Sequence, residues 1–180
     1  PHRGTFQTAF TFTYTPTTEI KWFVDLGKYY GGVLSPEIKW RYFDLLAGRR
    51  LYADNIYIGA PRPLEDYIHL AESGANCFNL MEISNADGKG RRRDYSNEYV
   101  AMMLGKLDPM VRKLRQRGLM KFAYVYGFDE LGRDYLPAMR KLYGAVKKRF
   151  PDLRTVLLVN WEPPTDIGVD IWCHLYHVYK

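Results

Sequence analysis

The sequence predicts an α/β fold, a (β/α) barrel of the TIM type that is incomplete, with about six of its eight strands. Three observations predict it. Strand-like and helix-like segments alternate along the chain, as in parallel sheets with helical crossovers. The chain has 180 residues, whereas a complete barrel needs at least roughly 200. The glycine-rich nucleotide motifs of open doubly wound sheets do not occur. We therefore expect one barrel domain, or a fragment of it, over residues 1–180.

Six segments have the composition of strands, because they are rich in β-branched, aromatic and aliphatic residues and lie next to turn residues. The predicted strands are 5–14, 55–58, 77–83, 121–126, 155–160 and 169–176. The segment 155–160 is a nearly continuous apolar run, which predicts a strand covered on both faces.

Helices are predicted from capping residues and from apolar residues at a period of 3.6. Ser35, Pro36 and Glu37 open one helix, which ends near Gly48, and Gly74 ends another. The predicted helices are 18–30, 35–48, 63–73, 96–117 and a segment around 135–146. Most of the predicted strands are therefore separated by a helix, as the barrel requires.

Composition excludes several functional classes. Apolar residues make up 47% and charged residues 26% of the chain, which is typical of a globular domain and excludes fibrous repeats. Lysine and arginine number 26 against 20 acidic residues, a net charge of +6 that suits a polyanion partner and an ordinary surface equally well. The sequence contains no apolar run of the roughly 18 residues that a membrane-spanning helix needs.

Cysteine, histidine and arginine patterns suggest no cofactor. Cys77 and Cys173 each lie in a strand-like run with apolar or aromatic neighbours, so we expect two buried thiols. His174 and His177 are three residues apart on a predicted strand, hence on opposite faces, and a shared metal is not expected. The cationic run 89–93 could bind an anionic glycan group or nucleic acid, but such runs are usually solvated loops, and we expect no nucleic acid partner.

The candidate active site follows the strand 121–126. Functional side chains of parallel α/β folds collect at the carboxyl ends of strands, and Asp129 and Glu130 stand at this end. Gly127 before them permits the departure from a regular pleat that two adjacent carboxylates need to face one cleft. Neighbouring carboxylates shift each other's pKa values apart, so that one can act as an acid while the other stays ionised. An adjacent pair of this kind is also common on ordinary surfaces.

Other strand ends provide further candidates for substrate binding. These are Asn79, Glu82, Asn160, Trp161, Trp172 and Tyr176. Aromatic rings stack on sugars, although a tryptophan on a strand more often belongs to the core. Glu82 and Glu162 are also candidate nucleophiles for a double-displacement glycosidase.

Several of these residues belong to a longer resemblance. The segments 41–46, 54–57, 74–79, 126–130, 150–155 and 169–172, in this order and spacing, resemble the catalytic barrel of glycoside hydrolase family 123 and its DUF4091 relatives. The resemblance spans most of the chain.

The resemblance implies removal of terminal N-acetylhexosamine, of the N-acetylgalactosamine type, from glycans by substrate-assisted retaining catalysis without a cofactor. Glu130 would protonate the leaving oxygen, and Asp129 would orient the acetamido group. It also implies a secreted or periplasmic location, and a remainder of the barrel elsewhere in the protein or in another chain. The alternatives are a carbohydrate-binding or degenerate relative without activity, and the double-displacement enzyme.

Overall fold

The computed structural model describes residues 36–49, 51, 53–54, 56–162 and 164–174. The predicted strand 5–14, the predicted helix 18–30 and the candidates Tyr176 and His177 lie outside the described residues.

Two compact units make up the chain, and the first contains residues 1–55 and 65–76. Its described part has helix α1, Pro36–Ala47, and nearly all of helix α2, Leu64–Glu72, which confirms both predicted helices. The indole of Trp40 stacks on the imidazole of His69 at 5.1 Å between ring centroids. Gly74 follows α2 with a φ of +94°, a conformation that glycine adopts without strain, and so ends the helix as predicted.

The second unit contains residues 56–64 and 77–180, and its described part forms a parallel sheet of four strands. The strands are β1, Phe78–Glu82; β2, Ala123–Gly127; β3, Arg154–Val159; and β4, Ile171–His174. Their order in the sheet is their order in the sequence, and each neighbouring pair is parallel. The α/β class and four of the predicted strands are confirmed. A single domain over residues 1–180 stays a prediction.

Two long helices connect the first three strands. Helix α3, Asn97–Gln116, follows β1, and helix α4, Leu136–Arg149, follows β2. The hydroxyl of Ser96 accepts a hydrogen bond from the backbone N–H of Tyr99 at 3.2 Å, which caps α3. From α4, the buried hydroxyl of Tyr143 lies 3.0 Å from the carbonyl oxygen of Gly127 and 2.9 Å from that of Val156, and its single hydrogen is shared between these two acceptors. These contacts fix α4 against the end of β2 and the middle of β3.

Three sequence predictions need correction. Ile56 and Tyr57 form a turn instead of a strand, and the carbonyl of Ile56 is bonded by the side-chain amide of Asn79, which is not a bond of a strand ladder. Strand β3 alternates between buried and half-exposed residues, so it is covered fully on one face only. Cys77 is half-buried and Cys173 exposed, since β4 is the last strand of the described sheet, and the prediction of two buried thiols is wrong.

Candidate active site

A β-bulge in β1 sets the geometry of the site. Asn79 pairs with Tyr124 and Glu82 with Tyr126, so β1 has two residues between the pairs where β2 has one. Side chains two residues apart on a regular strand lie on one face. The extra residue therefore brings Asn79 and Glu82 to the same face of the sheet as their partners on β2.

The turn after β2 has an unusual backbone. Phe128 and Glu130 both have positive φ, +56° and +53°, which non-glycine residues rarely adopt. The N–H of Phe128 donates to the hydroxyl of Ser84 at 3.0 Å, and the N–H of Glu130 donates to the carbonyl of Leu158 at 3.0 Å. Contacts to the segments after β1 and on β3 thus hold the turn on both sides of Asp129.

Gly127 is required for this close approach. A Cβ at Gly127 would lie 2.9 Å from Cγ1 of Ile83 and 3.5 Å from the backbone nitrogen of Ser84. Ile83 and Ser84 are both fully buried and have little room to move. Glycine is therefore needed here for space, because its own φ is not positive.

Asp129 is held by two phenols. The hydroxyl of Tyr57 donates to Oδ2 at 2.5 Å, and the hydroxyl of Tyr126 donates to Oδ1 at 2.6 Å. Burial raises the pKa of Tyr126, and its hydrogen bond to Asp129 raises it further, so this phenol stays a donor at neutral pH. A carboxylate with one donor on each oxygen keeps further lone pairs for a ligand. Asp129 is thus fixed in orientation and still able to accept a hydrogen bond.

Glu130 has the opposite environment. Its side chain is exposed, and the structure gives it no side-chain hydrogen bond or ion pair with another described residue. Two adjacent carboxylates in a fixed and in a solvated setting are suited to different tasks. Asp129 is placed to orient a ligand, and the Glu130 carboxyl group is open to solvent.

Tyr57 reaches Asp129 because its segment is attached to β1. The side-chain amide of Asn79 donates to the carbonyl of Ile56 at 3.1 Å, and the N–H of Glu82 donates to the carbonyl of Ile58 at 2.7 Å. Asn79 is fully buried. Through its bond to Ile56, this predicted substrate-binding residue helps to hold the segment that carries Tyr57.

Glu82 is likewise buried behind the site, with 1% of its surface exposed. Its Oε1 accepts hydrogen bonds from Nε of Arg91 at 2.8 Å and from the hydroxyl of Ser84 at 3.2 Å. Burial lowers the pKa of Arg91, but the charge and hydrogen bond of Glu82, together with the charge of Asp129, outweigh this effect and raise the pKa. The guanidinium also lies 5.8 Å from the centroid of the Tyr57 ring.

The neighbouring arginines of the cationic run are paired as well. Arg92 contacts Asp87 at 2.8 Å and Arg93 contacts Asp134 at 2.6 Å. The guanidinium of Arg92 also lies 5.0 Å from the ring centroid of Tyr99. All three arginines therefore have a carboxylate partner, and this loop belongs to the local fold more than to an anion-binding surface.

The end of β3 lacks such a network in the described part of the chain. Asn160 and Glu162 are exposed. Trp161 is half-buried, donates its indole N–H to the carbonyl of Leu131 at 2.8 Å, and lies 5.6 Å from the guanidinium of Arg133. Leu131 directly follows Glu130, so Trp161 adjoins the candidate site from the side of β3.

Trp172 lies on the other face of the sheet. It pairs with Leu157, a buried residue, whereas Tyr126 pairs with the half-exposed Val156. The structure therefore does not bring Trp172 together with Asp129.

The sequence did not single out Tyr57, Tyr126 or Ser84. Tyr126 stands three residues before Asp129, which was an available signal. Tyr57 is 72 residues from Asp129 in sequence, and only the attachment of its segment to β1 places it at the site.

In the part of the chain that the structure describes, no group of three or more His, Cys, Asp or Glu side chains is arranged to hold a metal ion. Among the described helices, none combines the length and the apolar character needed to cross a membrane.

No family model, no curated protein and no solved structure matches the chain.

Proposed function

We propose that the carboxyl end of β2 is the active site of a glycoside hydrolase that resembles family 123. In this proposal the enzyme removes a terminal N-acetylhexosamine, of the N-acetylgalactosamine type, with retention of configuration. The 2-acetamido group of the substrate is the nucleophile, so the chain supplies an acid and an orienting carboxylate and no cofactor.

The observation that carries the proposal is the fixation of Asp129 between the hydroxyls of Tyr57 and Tyr126 beside the exposed Glu130. Substrate assistance needs one carboxylate of fixed orientation, which accepts the acetamido N–H and balances the positive charge that develops on the amide. It needs a second carboxyl group with access to solvent for proton transfer. The two environments fit these two tasks.

The proposed reaction proceeds in two steps. The acetamido carbonyl oxygen attacks the anomeric carbon, the bond to the glycosidic oxygen breaks, and the carboxyl proton of Glu130 moves to that oxygen. Asp129 stabilises the resulting oxazolinium ion. Glu130 is now ionised and accepts a proton from a water molecule. The oxygen of that water molecule attacks the anomeric carbon at the same time. The oxazolinium ring opens, which restores the acetamido group and the Glu130 proton.

A double-displacement mechanism has less support. Its nucleophile must reach the anomeric carbon, but Glu82 is 1% exposed and is bonded to Arg91 and Ser84. Glu162 is exposed at the end of β3 and stays the other candidate nucleophile. The alternative that is not an enzyme is a carbohydrate-binding or degenerate relative without activity.

The barrel is part of the proposal. In a (β/α) barrel, consecutive strands are neighbours in one direction, whereas doubly wound sheets reverse their order. The order β1-β2-β3-β4 has no reversal among the described strands. The face of the sheet that carries Glu82 and Tyr126 would be the barrel interior.

Glu130→Gln tests the acid role. We expect it to abolish hydrolysis of N-acetylgalactosaminides with poor leaving groups and to spare aryl substrates with good ones, because a stable leaving group needs little protonation. Initial rates on a series of aryl glycosides measure this dependence. Glu72→Gln, at an exposed position on α2, is the matched control. Equal loss on all substrates would contradict the acid role, and glycan binding without turnover in the unsubstituted chain would favour the binding relative.

A further inference from the structure

The strongest unassigned feature of the molecule is the buried carboxylate of Glu82. It is almost completely excluded from solvent. It nevertheless pairs with Tyr126 in the register of β1 and β2, and Tyr126 donates a hydrogen bond to Asp129. A buried carboxylate needs compensating donors. Its two side-chain donors, Arg91 and Ser84, each make a further contact toward the turn that carries Asp129.

The first route from Glu82 to Asp129 goes through Ser84. The Ser84 hydroxyl donates to Oε1 of Glu82 at 3.2 Å and accepts from the N–H of Phe128 at 3.0 Å. Phe128 immediately precedes Asp129 and has a φ of +56°. Because a hydroxyl has one hydrogen, its donation to Glu82 leaves its lone pairs directed at the Phe128 N–H. Glu82 therefore orients the acceptor that holds the left-handed conformation of Phe128.

The second route goes through Arg91 and Tyr57. Nε of Arg91 is fixed on Glu82 at 2.8 Å, and the guanidinium lies 5.8 Å from the centroid of the Tyr57 ring. The hydroxyl of that ring donates to Asp129 at 2.5 Å. The backbone N–H of Glu82 also donates to the carbonyl of Ile58, next to Tyr57. Glu82 thus acts on the phenol from two directions.

We propose that Glu82 is a positioning residue, which fixes Asp129 through the Ser84–Phe128 backbone contact on one side and through Arg91 and Tyr57 on the other. The expected effect of Glu82 on catalysis rests on the proposed function. The positioning of Asp129 by Glu82 does not, because these contacts exist without substrate. It replaces the nucleophile and substrate-binding roles that the sequence suggested for Glu82. A single carboxylate thereby sets both the backbone before Asp129 and a donor to its side chain.

The test uses the 180-residue chain with 3-fluorotyrosine incorporated at position 57 and observed by ¹⁹F NMR. Asp129→Ala in the labelled chain defines the resonance of a Tyr57 that has lost its acceptor. We expect Glu82→Gln, which keeps the side-chain shape, to move the resonance at least halfway to that reference. Glu72→Gln should leave it unmoved. An unmoved resonance in folded Glu82→Gln would overturn the inference.

Two further variants cover the case in which Glu82→Gln fails to fold. Ser84→Ala interrupts only the first route, and Arg91→Lys keeps a charge beside Glu82 but loses the planar group near Tyr57. Displacement of the resonance by either variant supports the inference, and displacement by neither overturns it.

Kinetics separate this inference from the proposed function. If the chain is a hexosaminidase, Glu82→Gln should lower kcat about 10- to 100-fold with KM within about threefold, as expected for a misplaced catalytic group. A displaced resonance in a chain without hydrolytic activity would leave the positioning role standing and remove the proposed function. Full hydrolytic activity in Glu82→Gln with an unmoved resonance would remove the positioning role and leave the proposed function standing.

Discussion

The ends of β2 and β3 both present carboxylates at the same edge of the sheet, but only the end of β2 has a carboxylate held by side-chain hydrogen bonds among the described residues. After β2, Asp129 is held by two phenols, and the backbone on each side of it is bonded to a neighbouring segment. After β3, Glu162 is exposed, and no side-chain contact with another described residue fixes it. The difference shows that position at a strand end does not by itself fix a carboxylate, and that donors from other segments, here Tyr57, and from the strand itself, here Tyr126, are needed.

The largest expected effect is a difference in kcat between variants at the carboxyl end of β2 and variants at the carboxyl end of β3. If the chain has the proposed hexosaminidase activity, Asp129→Asn should lower kcat about 100-fold or more, because the proposed mechanism loses its orienting carboxylate where positive charge develops. Glu162→Gln should leave kcat nearly unchanged. Steady-state kinetics on the same aryl N-acetylgalactosaminide measure both variants. A large loss in Glu162→Gln with a small loss in Asp129→Asn would move the site to the end of β3.

The next effect concerns the space at the end of β2. Gly127→Ala should destabilise the chain by about 1–3 kcal/mol, since the new Cβ overpacks a buried region. A Cβ at Gly144, an exposed position in α4, meets nothing within 4 Å. Gly144→Ala should therefore stabilise by about 0.5–1 kcal/mol, the helical preference of alanine over glycine. Urea unfolding of both variants gives the comparison, and equal stabilities would show that the turn does not need glycine.

The smallest effect concerns the start of β4, where no substrate role is expected. Asp170 accepts hydrogen bonds from the N–H of Thr155 and from Lys147, both at 2.9 Å. Burial raises the pKa of Asp170, but the contacts with Lys147 and Thr155 outweigh it and lower the pKa below its ordinary value of 3.8. Asp170→Asn should therefore destabilise the chain by about 1 kcal/mol or less at neutral pH.

The pH dependence of that variant has a definite sign. A carboxyl group with a depressed folded-state pKa stabilises the fold above its unfolded pKa, and this contribution is lost as pH falls through the folded value. The difference between the unsubstituted chain and Asp170→Asn should thus be constant from neutral pH to about pH 5 and shrink below pH 4. Thermal unfolding across this range measures it. A difference that grows toward acid would contradict the assignment.

Local sequence signals predicted the elements well. The capping signal at Ser35, Pro36 and Glu37, the end of α2 at Gly74 and the apolar runs of the strands helped to locate four strands and four helices of the described chain. Asp129 and Glu130 became candidates because position after a strand is itself a local signal. Their actual environments, one fixed and one solvated, were not predicted.

The sequence did not predict which side chains meet at the candidate site. These contacts depend on strand register and on segments that are distant in sequence. The bulge in β1 turns Glu82 toward Tyr126, and a shift of one residue would reverse its face. The same rule places Trp172 opposite Leu157 and away from the site. Tyr57 is attached through a backbone contact of Asn79, which no local pattern indicates.

Binding of an N-acetylgalactosamine thiazoline tests the central claim most directly, because this compound resembles the oxazolinium ion that only substrate assistance requires. Isothermal titration calorimetry should show competitive, tight binding to the unsubstituted chain and a large loss of affinity in Asp129→Asn. Absence of thiazoline binding, together with covalent labelling of Glu162 by a 2-fluoro sugar, would contradict the account.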